Sequence, residues 1–550
     1  MTTITHKDVP GLVKKHGSLS AIVRKKGIGY TKLHRLYVKA VDAKLMDPLP
    51  MGAKPHEAHK APTVRQRVKA LQTKRDTHHT FILTCAQNNT DLHLPTWTNL
   101  LALAEHEGAK VFVSTFLYQK RGLGSRNDKA ALGRSSGARV VNEEIWFDPR
   151  IEPFIQNGRV EIAKGLVFCG ELNILPTAVS PLTGFETYTG RKSMIAPHVT
   201  QQMQSIASYS AGDGAKLNYA TGTVTQRNYI QRKEGFKAEF HHMYGALIAE
   251  VDEAGHWWVR QLNADSDGTI YDLDRCVKDG KVTTGHRVEA LTSGDTHEDE
   301  KDPAVHRAKY ALGGLKDVLR PKYEFTHDVL NFARRSHHNI KDPYFLIEQH
   351  VQKRESVGQE IDGARLHLED IYRPWCETVV VDSNHDRALE KWLTNVDGRY
   401  DPVNARFWSW LNGQKIETIY KGESPGLFGL AVVNGHPEWA KLFRVRFLQE
   451  DEGFITCKAF GGGIENGMHG DRAANGARGN LRSFAKMGRR SNVAHAHGCG
   501  IFQGAMQAGT NSKLKLRYNK GASSWSHSDI ITYPNSKRTI ITYAFGKWRA

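Results

Sequence analysis

Five short polar clusters in the second half of the chain hold the residue types that metal-ion chemistry needs. EALTSGDTHEDE carries Asp295 and His297, and FTHDVLNFARRSHHN carries Asp328. TVVVDSNHDRALEKW carries Asn384, His385 and Asp386, GGGIENGMHGDRAANG carries His469, and SNVAHAHGCGIFQGAMQAGT carries His495 and His497. Carboxylates, imidazoles and a carboxamide are the donors that first-row divalent ions accept. Two such ions held side by side, about 4 Å apart, need a carboxylate shared between them. Alone, each cluster reads equally well as a loop making one hydrogen bond, or as strand alternation with two rings on one face. Together they point to a single centre, because most of them end an apolar strand-like run such as Val379 to Val381, and α/β sheets bind ligands beyond the carboxyl ends of their strands.

The elements that must position these residues alternate between strand and helix patterns from about 286 to 512. Before them, 80–285 reads as a further α/β region whose role the sequence does not reveal. Its strands include HTFILTCA, GLVFCGEL, YGALIAEV and HWWVRQL, with a helix over WTNLLALAEHEG. After them, 513–550 alternates with period two and predicts a closing set of antiparallel β strands. The start of the chain is different. Residues 1–46 are basic and helical, with Leu19, Ile22 and Val23 on one face, a break at Gly27 to Gly29, then Leu33, Leu36, Tyr37 and Ala40. That is a helix-turn-helix-like pattern. Its second helix would turn Lys32, His34, Arg35 and Lys39 outward toward phosphates. The alternative is a helical hairpin that only packs. A basic, Pro-containing linker, 47–79, follows.

The 550 residues carry a formal net charge of +18 and are 39% hydrophobic. Wholesale disorder is excluded, and the charge implies a polyanionic partner, nucleic acid first and an acidic membrane surface second. Between the last ligand clusters, GDRAANGARGNLRSFAKMGRRSN adds Arg482, Arg489 and Arg490 as candidate DNA contacts, with a solvated helix face as the alternative. The six cysteines form no CxxC pair, which fits a reducing compartment. With no apolar leader and no apolar run of about 18 residues, neither a secretory signal nor a transmembrane segment is expected. A cytoplasmic location is the expectation.

In their order, SGDTH, SNHD, HG and HAHGCGIFQGAMQAGT resemble the calcineurin-like metallophosphoesterase superfamily, which includes phosphatases and nucleases. The resemblance covers roughly 286–512. It implies an α/β fold, a four-layer β-sandwich flanked by helices. It also implies two divalent ions, Mn2+ first, with Mg2+, Fe2+ or Zn2+ as alternatives. Asp295, His297, Asp328 and His497 would hold one, and Asp328, Asn384, His469 and His495 the other, with Asp328 as the bridge. A hydroxide activated by both ions would attack phosphorus, His385 would stabilise or protonate the leaving oxygen, and Asp386 would orient His385. This chain departs from the family pattern at Ser383 and Ala494, where Gly is usual, and at Asp328, which lacks the usual preceding Gly.

More narrowly, ILTCAQNNT, FCGELNILPTA, GDTH and SNHD are similar to the pre-early DNA-transfer proteins of T5-type phages. That resemblance implies an early phage DNase that degrades host DNA and supports phage DNA entry, acting in the host cytoplasm. It also implies a second phage DNA-transfer protein as partner; a homo-oligomer is a further expectation. Two alternatives stay open: a phosphatase acting on nucleotides or phosphoproteins, and a non-catalytic DNA-binding scaffold.

Overall fold

The computed structural model describes residues 4–16, 22, 30–46, 79–118, 145–209, 214–423, 426–434, 436 and 438–550. Two units divide after Val68. In the first, helices Val9–His16 and Tyr30–Asp42 bury Val9, Val13, Leu33 and Ala40 together with Ile22. The i, i+4 and i, i+7 spacings put these side chains on single helical faces. Helix Tyr30–Asp42 is the second helix expected from the sequence, and Val9–His16 is one the sequence reading did not anticipate. The break at Gly27 to Gly29 and the side chains of Lys32 and His34 lie outside the described residues. Arg35 and Lys39 are exposed.

The second unit is mixed α/β. Its six-stranded sheet runs in the order Val445–Phe447, Glu377–Val380, Tyr323–His327, Ala290–Asp295, Ser528–Thr532, Arg538–Thr542. The first four strands are parallel and the last two join antiparallel. Parallel strands covered on both faces are buried along their whole length, and all six residues of Ala290–Asp295 are buried. A ten-stranded sheet includes Arg490–Val493, Ala505–Gln507 and Gly500–Phe502, next to His198–Ile206 and Lys216–Gly222. A four-stranded sheet holds Thr80–Gln87, Lys110–Phe116, Gly245–Val251 and Trp257–Asn263.

One apolar core serves all three sheets: Ile530 and Ile540 from the first, Met203, Tyr219 and Ile501 from the second, Leu247 and Val259 from the third. Segments 80–285, 286–512 and 513–550 therefore share sheets. Ile501 pairs with Met203, and Ala290 pairs with Thr532. The tail forms its antiparallel pair at Ser528–Thr532 and Arg538–Thr542, whereas 513–525 is irregular rather than stranded. The period-two lysines and arginines there turn to ion pairs instead of a ladder: Lys513 reaches Glu300 at 3.0 Å, and Arg517 reaches Glu348 at 2.8 Å and Asp342 at 2.9 Å.

Behind the strand that ends at Asp295 lies a fully buried charge network. Lys316 Nζ donates to Glu324 Oε2 and to the Ile371 carbonyl, each at 2.6 Å. Lys309 Nζ sits 2.8 Å from Asp529 and donates to Ser293 Oγ. The Gly294 amide donates to Asp529 Oδ1 at 2.8 Å. Two lysines balance two carboxylates, and the Tyr310 and Tyr543 hydroxyls donate to the carboxylates as well. Burial pushes the Glu324 carboxyl up, but the two ammonium groups outweigh it and hold it well below the usual range. The network grips Ser293 and Gly294, the residues that lead into Asp295. Gly294 also allows a close approach: a Cβ there would lie 2.7 Å from the Gly509 backbone.

Breaking a buried ion pair by removing one partner strands the other charge, at about 3–5 kcal/mol. Lys316→Met is expected to lower stability by about that amount, measured as a fall in the urea midpoint. An unchanged midpoint would show that Glu324 is neutral in the fold.

Candidate metal centre

Each sequence-predicted ligand sits at or just past a strand end. Asp295 closes Ala290–Asp295, and Asp328 follows Tyr323–His327. Asn384 and His385 lie in the turn after Glu377–Val380. His495 and His497 follow Arg490–Val493, and the His469 carbonyl accepts from the Ala494 amide at 2.7 Å. Past their ends, the two central strands stay zipped by backbone bonds: His297 N to Asp328 O at 2.7 Å and Glu298 N to Val329 O at 3.0 Å. Four of the ligands adopt left-handed backbone, with φ of 44° at His297 and Asp328, 70° at His495 and 56° at His497. Such conformations cost about 1–3 kcal/mol each for non-glycine residues and persist where surrounding structure imposes them.

The donors converge in two overlapping groups. Asp295, His297, Asp328 and His497 offer ligand atoms that all lie within 4.8 Å of one another, and so do Asp328, His469 and His495. Asp328 belongs to both. Asn384 joins the second group, its Oδ1 2.9 Å from His469 Nε2.

These contacts fit a cation. His297 Nε2 and His497 Nε2 approach to 3.2 Å, and His497 Nε2 lies 2.9 Å from Asp295 Oδ2. Asp328 Oδ1 and His495 Nδ1 are buried with no hydrogen-bond partner among the described residues. Buried lone pairs aimed at one another are costly unless a positive charge sits among them. Burial and the Asp328 charge both push the Asp295 carboxyl up, yet the His497 and His469 imidazoles outweigh them and hold it at about 2. Burial alone would make His469 hard to charge, but Asp328 and Asp295 lift it to about 9. The paired carboxylates thus demand positive charge, and His469 is the imidazole they lift. These residues can hold a metal ion.

His385 lies half-buried at the edge of the centre, its ring 4.6 Å from that of His297. Its Nδ1 donates to the Asn331 carbonyl at 2.6 Å, which leaves Nε2 for a ligand. Asp386 does not orient it. Asp386 accepts from Ser383 Oγ at 2.8 Å and from the Leu330 amide at 3.2 Å, so it braces the turn. Burial and the nearby Asp328 charge push its carboxyl well up. Ser383, where the resemblance leads one to expect Gly, is thus the partner of Asp386. Ala494, the other such departure, packs into the shared core. Arg387 ties the two loops together by pairing with both Asp382 and Asp471.

The sequence reading missed His327. It stands where Gly usually precedes the bridging Asp, and its imidazole stacks on His469 with Nδ1 3.3 Å from His469 Nδ1. A ligating His469 that turns its Nε2 lone pair toward Asp328 and Asn384 carries its hydrogen on Nδ1, and His327 accepts it. The only signal in the sequence was its adjacency to Asp328. The His337 and His338 rings lie tilted against each other, centroids 3.8 Å apart, and join neither group. Of the arginines expected on DNA, Arg482 and Arg489 are exposed. Arg482 donates to Ser180 and lies over the Phe502 ring. Arg490 is committed to structure instead, donating to the carbonyls of Phe460 at 2.6 Å and Ser536 at 3.4 Å. All six cysteines are free thiols, five of them buried. Among the described residues, no helix is long and apolar enough to cross a membrane.

Loss of a partner that orients a ligating imidazole weakens metal binding by about 10- to 100-fold. His327→Phe is expected to weaken Mn2+ binding to the metal-stripped protein by that factor in a calorimetric titration. Unchanged affinity would make His327 a packing residue.

No protein-family model matches the chain, and no solved structure matches it. Over 484 residues the sequence is 37% identical to "Protein A1" of Escherichia phage T5, spanning 86% of this chain and 83% of that protein. Identity at that level over most of both chains places this protein in the family of the T5 phage Protein A1.

Proposed function

We propose that this protein is a metal-dependent DNase of the metallophosphoesterase kind, made early in phage infection and acting on host DNA in the host cytoplasm. The observation that carries the reading is Asp328, a fully buried carboxylate common to two groups of converging donors. A shared carboxylate is what a pair of divalent ions requires. Asp295, His297, Asp328 and His497 would hold one ion, and Asp328, Asn384, His469 and His495 the other, with Mn2+ preferred. When bound, such ions supply Lewis acidity at a phosphoryl oxygen and an activated water. The chain's own part is to fix the donors and present His385. With Nδ1 held by the Asn331 carbonyl, its Nε2 is free to stabilise or protonate a leaving oxygen. The six- and ten-stranded sheets, which share one core, suit the β-sandwich that this reading implies.

DNA is favoured as substrate by the +18 net charge, the exposed Arg35 and Lys39 of the first unit, and the exposed Arg482 and Arg489 of the second. A small-molecule phosphatase has no use for such basic residues. Partnership with a second phage DNA-transfer protein and self-association belong to the same reading.

The test is to strip the protein of metal, add linear, circular and single-stranded DNA, and restore Mn2+, Mg2+ or Zn2+. Cleavage is expected only with metal. His385→Ala should lower kcat about 100- to 10,000-fold while the protein keeps its bound metal. If a simple phosphodiester ester is hydrolysed but DNA is not, the phosphatase reading replaces this one. If DNA is bound and nothing is cut, the protein is a scaffold.

A further inference from the structure

An aromatic pair stands against the metal centre and takes no part in the chemistry proposed for it. The Trp525 ring packs edge-on against the His497 imidazole, centroids 4.1 Å apart, and Tyr518 packs edge-on against Trp525 at 5.7 Å. Tyr518 is 56% exposed, a large cost for a ring that only fills space. Through Trp525 the exposed Tyr518 ring connects to His497 at the centre.

The segment is held rigidly for an irregular one. Ser523 exchanges two backbone hydrogen bonds with Ser208, at 2.8 and 2.9 Å, and the Ser526 amide donates to the His497 carbonyl at 2.9 Å. Asn519 Nδ2 donates to the Leu514 carbonyl and to Ser523 Oγ. Of the basic residues here, Lys513 and Arg517 pair with Glu300, Asp342 and Glu348, and Lys515 donates to the Asn519 carbonyl; Lys520, between the two rings in the sequence, is exposed. The surroundings of His469 are different in character. The cavity there, of about 290 Å³, is lined by Asp382, Asp451, Glu452 and Asp471 against Arg387 and Arg472, and carboxylates repel a phosphate backbone. Basic residues between exposed rings are how proteins take single-stranded nucleic acid, because every base offers a face to stack on.

We infer that Tyr518 and Trp525 form a stacking platform for an unpaired nucleobase, placing its phosphodiester beside the cation that the Asp295, Asp328 and His497 donors would hold. This rests on the nuclease reading for the phosphodiester but not for the base. Duplex DNA buries its base faces, so the platform favours single strands, frayed ends or a base turned out of the helix.

The test measures binding of a short oligothymidylate, and of the same backbone built from abasic residues, to the metal-stripped full-length protein, with cleavage followed separately after Mn2+ is restored. The oligothymidylate is expected to bind about ten-fold tighter than the abasic strand. Tyr518→Ala and Trp525→Ala should reduce it to the abasic level, and Tyr518→Phe should keep the difference. Tyr518 is exposed, so its substitution leaves folding intact even if that of Trp525 does not. Equal binding of the two strands to the unaltered protein overturns the platform. So does a Tyr518→Ala loss of equal size on both, which is the mark of a structural role. Base-dependent binding without any cleavage would sink the nuclease reading and leave the platform standing; cleavage indifferent to bases would do the reverse.

Discussion

Two carboxylates, Asp295 and Asp328, are held fully buried within reach of the same imidazoles, and the rest of the second unit is arranged around the repulsion between them. Isolated, each would be forced to take up a proton. Here imidazoles crowd in instead, and the electrostatic demand for a cation is built into the backbone geometry. That is the sense in which the centre is pre-organised: its strain, its left-handed turns and its converging lone pairs are all set by strands that cannot relax.

The supports are layered. Lys309, Lys316, Glu324 and Asp529 neutralise one another behind the first ligand strand and grip its backbone. Backbone bonds carry the pairing of the central strands past their ends, so that His297 and Asp328 are fixed relative to each other. Arg387 fastens the Asn384 loop to the His469 loop. The side chains at the positions where this chain departs from the metallophosphoesterase pattern are each put to use: Ser383 on Asp386, Ala494 in the core, His327 on His469.

What sequence carries well is donor type at the end of an apolar run, and for that reason Asp295, His297, Asp328, Asn384, His469, His495 and His497 were legible and the structure brings them together. The central strands Thr80–Gln87 and Gly245–Val251 were equally legible, because continuous apolar runs are a local signal. Sheet membership was not, since the pairing of Ile501 with Met203 joins residues far apart in the chain. Direction was not legible either. Asp386 stands next to His385, but the turn sends its carboxylate to Ser383 and Leu330. The alternation of 513–520 looks like a strand until Lys513 and Arg517 are seen to reach for acids on neighbouring elements. Half of the basic helical start was readable, and its break lies outside the described residues.

The ligand strand is secured by residues far downstream. Thr510 Oγ1 bonds the Asp295 carbonyl across 215 positions, and the Gly294 amide meets Asp529 across 235. Closing so long a loop is slow, and pairing within 286–400 covers only one edge of the first ligand strand, the other edge waiting for Ser528–Thr532. A ribosome releases this chain from its start toward its end, so a growing polypeptide carries most of the donors long before it can arrange them. Convergence of the donors is thereby tied to completion of the last strand pair, and a fragment cut short before Ser528 would have the residues of the centre without the centre.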